Sequence, residues 1–206
     1  MFLTAQEKKI LKTTCRQVVY FWLTVVAIFS LYLLANLYRE ETFREYGVVE
    51  NIQLGFLIIS AGIFTWESVI FKKHAALLLF LASLCTLGSC RELDGFFDDN
   101  LPIISWKFGF LFPVAALINL WRNRKIARES FFQFLETPAF NLMFTAVLIG
   151  LALAQVLGHR SFIATVLGEE KSARAVRRIL EEGTEVVAYF LIFLSTFECY
   201  FSFKKK

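Results

Sequence analysis

Apolar runs of roughly the 20 residues that a helix needs to cross a bilayer alternate along this chain with short islands of charge. Six such runs predict spans at residues 18–38, 48–71, 74–90, 103–121, 139–158 and 184–203. Glycine and proline inside them, at Gly55, Gly62 and Pro113, are tolerated in membrane helices because neighbouring groups satisfy the freed backbone. Between the fifth and sixth runs, Ala173, Val176, Ile179 and Leu180 recur at helical spacing opposite Arg174, Arg177, Arg178 and Glu181, which predicts an amphipathic helix on the membrane surface before the last span. No internal repeat and no Pro-, Gly- or Ser-rich linker divides the chain. The expected fold is all-α: a polytopic integral membrane protein, a bundle of six transmembrane helices forming one domain over residues 1–206.

Composition strengthens this reading. Of 206 residues, 57% are hydrophobic and 17% aromatic, and the mean hydropathy of +0.56 exceeds what a soluble domain of ordinary surface carries. The net charge of +4 does not point to nucleic acid, because the aromatic residues lie inside the apolar runs and not on a basic face. The charge reports topology instead. Sorting the connections into two alternating sets puts "EKKILKTTCR", "FKKH", "WRNRKIAR" and "FKKK" together, all basic, against "YREETFREYG", "RELDGFFDDNLP" and the long connection ending in "RRILEEG", where acids match or outnumber bases. The positive-inside rule then places both termini in the cytoplasm and the acidic set outside; for a bacterial chain this is the inner membrane, with the acidic side facing the periplasm. The polar N-terminal stretch is too long for a cleavable signal, so the first run is read as a retained anchor.

The four cysteines, Cys15, Cys85, Cys90 and Cys199, form no CxxC pair and no metal-finger spacing, and three fall in or beside apolar runs, as packing thiols do. Trp22, Trp66, Trp106 and Trp121 stand near span ends, where indoles anchor at the interface. His74 is expected at headgroup level beside Lys73, and Glu67 and Glu198 are expected to be neutralised by lysines at the cytoplasmic ends of their spans.

The distribution of polar side chains at the opposite ends is lopsided. Glu50 and Gln53 share a face near the outer end of the second span, and Arg91, Glu92 and Asp94 close the third. Gln155 and His159, four apart, end the fifth, while Glu181, Glu182 and Glu185 open the sixth. Charged groups at membrane depth are costly unless paired or wet, so they mark a candidate site. Arginine makes forked contacts with carboxylates, so Arg91 is expected to bridge Glu50 and one of the acids from Glu181 to Glu185. Glu50, Glu92 and His159 are the candidate acid/base groups, since crowded carboxylates and imidazole titrate near neutrality. Gln53, Arg91, Asp94, Gln155, Glu181, Glu182 and Glu185 are the candidate ligand-binding groups. Plainer roles compete with these: Glu181 and Glu182 pair with Arg177 and Arg178 along one helix, Asp98 and Asp99 form turn chemistry ahead of Pro102, and His159 beside Gly158 caps a span.

Through "YGVVENIQ", "RELDGFF" and "ILEEGTEVVAYFLI" the chain resembles a loose group of polytopic bacterial inner-membrane proteins that carry an acid with a following glutamine at the start of one span, an acidic motif after the next and a doubled glutamate opening the last. The resemblance covers the outer halves of three or four spans and implies a location and no activity. A zinc hydrolase of the alkaline-ceramidase kind needs several convergent histidines, a bis-histidine cytochrome needs two on one side, and only His159 lies on the outer side. Phosphate loops, nucleophile elbows and paired redox cysteines are absent from the sequence. What is expected is an acid-rich pocket facing the periplasm that binds a small ligand, a cation or a lipid headgroup. A sensor or interaction subunit with a purely structural cluster and a small proton- or cation-coupled permease are the alternatives. The expected partners are the lipid bilayer and a lipid or small-molecule ligand, not nucleic acid; the sequence assigns no metal, no cofactor and no oligomeric state.

Overall fold

The computed structural model describes residues 4–38, 43, 47–100, 105–159, 165 and 170–204. Among them every regular element is helical: α1 (Ala5–Tyr38), α2 (Val48–Ile70), α3 (Ala75–Glu92), α4 (Asp94–Asn100), α5 (Leu111–Arg122), α6 (Arg124–Leu135), α7 (Pro138–Val147), a π-helical stretch (Leu148–Leu153), α8 (Ala154–Leu157) and α9 (Glu170–Phe203). Three-residue and five-residue 3-10 turns, Lys72–His74 and Trp106–Phe110, precede α3 and α5.

Helices α2 and α9 form the spine. Residues 53, 57, 60, 64, 67, 71 and 74 of the α2 strip alternate steps of four and three, as do 182, 185, 189, 192, 196, 199 and 203 of α9, the spacing that keeps one seam facing a partner helix. Contacts climb both strips together: Gln53 meets Glu182, Phe56 packs on Phe190 and Phe193, and Phe71 and His74 both pack on Phe203. The two helices are therefore parallel. Their seam is unusually polar for a core, since Gln53, Ser60, Glu67 and Thr196 are all fully buried. In lipid, where apolar surface gains nothing by leaving its surroundings, such interhelical polar contacts and close packing hold helices together.

Helix α3 turns back along α2 through the Lys72–His74 turn, and Gly88 makes the close approach possible: a Cβ there would meet the Leu57 side chain at 3.2 Å. Helix α5 and its preceding turn then follow α3 in the opposite direction. Gly109 faces Leu87 and Cys90 at one end, and Leu120 and Trp121 share a groove with Leu77 at the other. Helix α7 and the π stretch pack on α9, with Gly150 against Ala188. Arg16 on α1 meets Glu198 near the end of α9, so the starting helix and the last helix meet at the same end of the bundle.

Among the described residues, five helices are long and apolar enough to cross a membrane: Gln6–Leu34, Val48–Ile70, Lys72–Glu92, Pro138–Leu157 and Val176–Phe203. The exposure of large apolar side chains along them, such as Phe21, Phe29, Ile58, Val69, Phe144 and Leu151, is what a lipid-facing surface requires. Two expectations need correcting. The run at 103–121 does not yield one long α-helix, because its described part begins as a 3-10 turn and leaves α5 only 12 residues. The amphipathic surface helix is not a separate element either: α9 runs unbroken for 34 residues from Glu170. Gly183 alone does not break it, and the Thr184 hydroxyl bonds back to the Leu180 carbonyl within it. The side chains of residues 170–175, including Ala173 and Arg174, and the segment with Pro102 lie outside the described residues.

Candidate functional site

The last turn of α3 carries Arg91 and Glu92; one turn of α9 carries Glu185 and Tyr189. Because α3 packs beside the α2–α9 spine, these four side chains meet. The Arg91 guanidinium donates from Nη2 to Glu185 Oε1 at 2.5 Å, and its Nε lies 3.4 Å from Glu92 Oε1. The Tyr189 hydroxyl donates to the same Glu92 oxygen at 2.7 Å. Glu92, Glu185 and Tyr189 are buried, whereas the Arg91 side chain keeps 37% of its surface. A second contact extends this polar layer: Gln53 Nε2 donates to the Glu182 carboxylate at 3.0 Å and to its backbone carbonyl at 3.1 Å. Gln53 Oε1 is buried with no hydrogen-bond partner among the described residues, and an unmet acceptor at such depth is costly.

Next to this cluster is an apolar cavity of about 400 Å³, within the range of about 300–1,000 Å³ typical of small-molecule sites. Its floor comes from Leu57 of α2 and Ala188 and Ile192 of α9, and its walls from α3, the Trp106–Phe110 turn and the π stretch. Arg91 and Tyr189 line it, so the polar cluster closes one end. Leu84, Phe110, Val147 and Leu151 line its rim and are exposed, so it opens sideways between α3 and the π stretch, toward the lipid side of the bundle. The π stretch shapes that wall: Ala154 N–H donates to the Ile149 carbonyl five residues back, the wider helical turn that recurs at functional sites.

The sequence-predicted residues divide in the structure. Arg91, Glu92, Glu185, Gln53 and Glu182 are drawn into the polar layer, and of the acids proposed for Arg91 the one it bonds is Glu185. Glu50 is half-buried at the start of α2. Glu181 is half-buried with its carboxylate against Gly158, where a Cβ would stand 2.5 Å away. Gln155 and His159 are exposed at the end of the fifth run. Asp94 is exposed and accepts the Gly95 N–H at 2.7 Å, opening α4, a short helix in place of the turn expected around Asp98 and Asp99.

At the opposite end, the expected neutralisation by lysines does not describe Glu198 or Glu67. Glu198 is fully buried and forked by Arg16, from Nε at 2.8 Å and Nη2 at 2.5 Å, with the Tyr20 hydroxyl at 3.1 Å. Glu67 is fully buried, and no nitrogen or oxygen donor bonds its carboxyl among the described residues; its polar neighbour is the Cys199 thiol. His74 is buried and stacked on Phe203 at 3.9 Å rather than standing at headgroup level. Tyr189 was missed because it sits in the aromatic run "VVAYFLIF"; its spacing of four from Glu185 was the available signal. Among the described residues no three His, Cys, Asp or Glu side chains converge as a metal site requires. No protein-family model matches the chain, and no curated protein and no solved structure is similar to it.

Proposed function

We propose that this is a multi-pass inner-membrane protein that binds a membrane-soluble amphiphile, its chain in the lateral cavity and its polar head against Arg91 and Tyr189, with the buried carboxyls of Glu92 and Glu185 behind them. The observation that carries the reading is the junction of a lipid-side apolar cavity with a buried polar cluster at one end. Two carboxyl groups face one guanidinium there, so the head best matched to it donates hydrogen bonds, as a hydroxyl or an amine does. Glu92, which accepts from the Tyr189 hydroxyl and lies 3.4 Å from Arg91 Nε, stands behind these two lining groups and sets the charge that such a head meets. Both termini are assigned to the cytoplasm and the cluster to the periplasmic face, on the segregation of Lys and Arg. The course of α5 alongside α3 from Cys90 to Leu77 supports counting residues 106–122 as a sixth crossing.

The fork that Arg91 forms with its own acids favours a second reading, in which the cluster only locks α3 against α9. The two separate in a binding assay with purified protein in nanodiscs of neutral lipid, using a long-chain amine and the matching fatty acid as probes. The amine should bind in preference, Val147→Trp should close the rim and abolish binding of both, and Glu92→Gln should keep chain binding while removing the preference. If neither probe binds, or Val147→Trp changes nothing, the cluster is a lock and the cavity is only packing.

A further inference from the structure

The basic end of the bundle carries a second groove, separated from the first by Leu81, which lines both. It lies between α3, α5 and α6, has a volume of about 450 Å³, and is floored by Leu77, Leu81 and Phe134. Leu117 and Trp121 of α5 form an exposed flank. Its polar lining is a pair of arginines, Arg124 and Arg128, one turn apart on the same face of α6.

Helix α6 is held across this end of α3 by its small face. Ala127 and Ser130 are buried, and the Ser130 hydroxyl donates to the Lys73 carbonyl at 3.0 Å. That docking turns Arg124 and Arg128 to the groove. Each guanidinium lies over an aromatic ring, Arg124 over Trp121 at 5.9 Å and Arg128 over Phe132 at 5.8 Å. At these distances the ring faces attract the guanidinium charge, and both arginines border the groove. The single acid of α6, Glu129, is directed to Lys73 at 3.4 Å instead.

We infer that this groove binds an anionic phospholipid of the surrounding bilayer, one acyl chain along Leu77, Leu81 and Leu117 and the phosphate bridged by Arg124 and Arg128. Two arginines one helical turn apart at the mouth of an apolar groove supply both halves of that recognition: forked donors for phosphate oxygens and an apolar bed for the chain. Basic pockets between membrane helices bind anionic headgroups on the same principle. The inference does not rest on the amphiphile proposed for the other cavity: the two share α3 and Leu81, but the polar groups differ, Arg124 and Arg128 of α6 here against Arg91 and Tyr189 there.

Native mass spectrometry of the purified protein, titrated with phosphatidylglycerol and with phosphatidylcholine of the same chains, tests it. Phosphatidylglycerol should bind preferentially, and Arg124→Gln with Arg128→Gln should weaken it about tenfold. The control pair Arg122→Gln with Lys125→Gln removes the same charge from the same segment outside the groove and should leave the affinity within about twofold. Leu117→Trp, which fills the groove and leaves the charge intact, should weaken binding as much as the arginine pair. It decides the matter alone if that pair does not fold. Equal loss in the control pair would mean unspecific attraction to a basic surface, and unchanged binding in Leu117→Trp would mean that no chain occupies the groove; either overturns the proposal. Competition by millimolar inorganic phosphate would overturn it too, by making the site one for the free ion.

Discussion

A guanidinium gripped on two sides by one buried carboxylate is expensive to disturb from either partner, and Arg16 with Glu198 is such a pair. Taking away one partner of a buried ion pair costs about 3–5 kcal/mol because the other is stranded, whereas replacing the whole set by apolar side chains of similar volume is often neutral. Arg16→Met should therefore lower the thermal stability of the detergent-purified protein sharply. Arg16→Met with Tyr20→Phe and Glu198→Leu should recover most of the loss, since no buried oxygen is then left unmet. A triple variant as unstable as the single one would mean that the pair holds α1 to α9 through geometry that packing cannot replace. None of this was legible beforehand. Glu198 stands six residues from the terminal lysines in sequence, and only the folded chain brings a residue 182 positions away into hydrogen-bond range. Arg91 differs because its acids were legible as a set: Glu181, Glu182 and Glu185 crowd the start of one span at the depth where Arg91 ends another. Which of them it takes depends on the rotation of α9, a quantity that spacing alone leaves free.

Periodicity located the helices well, and it failed where a helix departs from 3.6 residues per turn. The π stretch Leu148–Leu153 is the clearest case. "LIGLAL" has nothing polar to betray a wider turn, yet one residue of extra winding rotates everything beyond it by about 100° relative to an α-helix. Beyond it, Gln155 and His159, paired in the sequence by their spacing of four at the outer end of the fifth run, are both exposed. The same widening forms the cavity wall at Val147, Gly150 and Leu151. Deleting Leu151 should convert the stretch to regular α-helix. The expected outcome is a protein that inserts and elutes as the wild type does, with the long-chain amine bound at least tenfold more weakly, because the wall has moved. Wild-type affinity in the deletion variant would show that the π geometry is incidental to the cavity.

At the scale of the molecule, the segregation of charge and the internal packing agree on one alternation of helix directions. Helices α2 and α9 run parallel, α3 runs against α2, and α5 follows α3 in the reverse sense. The weak member is residues 106–122, which length and composition do not pick out as a span. Yet Gly109 sits beside Cys90 while Trp121 shares a groove with Leu77, toward the two ends of α3, and α3 with the turn before it is itself long and apolar enough to cross. On the proposed six-span reading, a helix that accompanies α3 from end to end is expected to cross with it. Asp99 and Lys125 should thus lie on opposite sides of the membrane. Single cysteines at these two positions, in a chain with the four native thiols replaced by serine or alanine, would be exposed to a membrane-impermeant maleimide on intact cells. Asp99→Cys should label without permeabilisation and Lys125→Cys only after it. Labelling of both on intact cells would make 106–122 a segment that enters and leaves from one side, would put the two basic arginines of the second groove on the same face as Glu185, and would require every helix after α3 to be reversed.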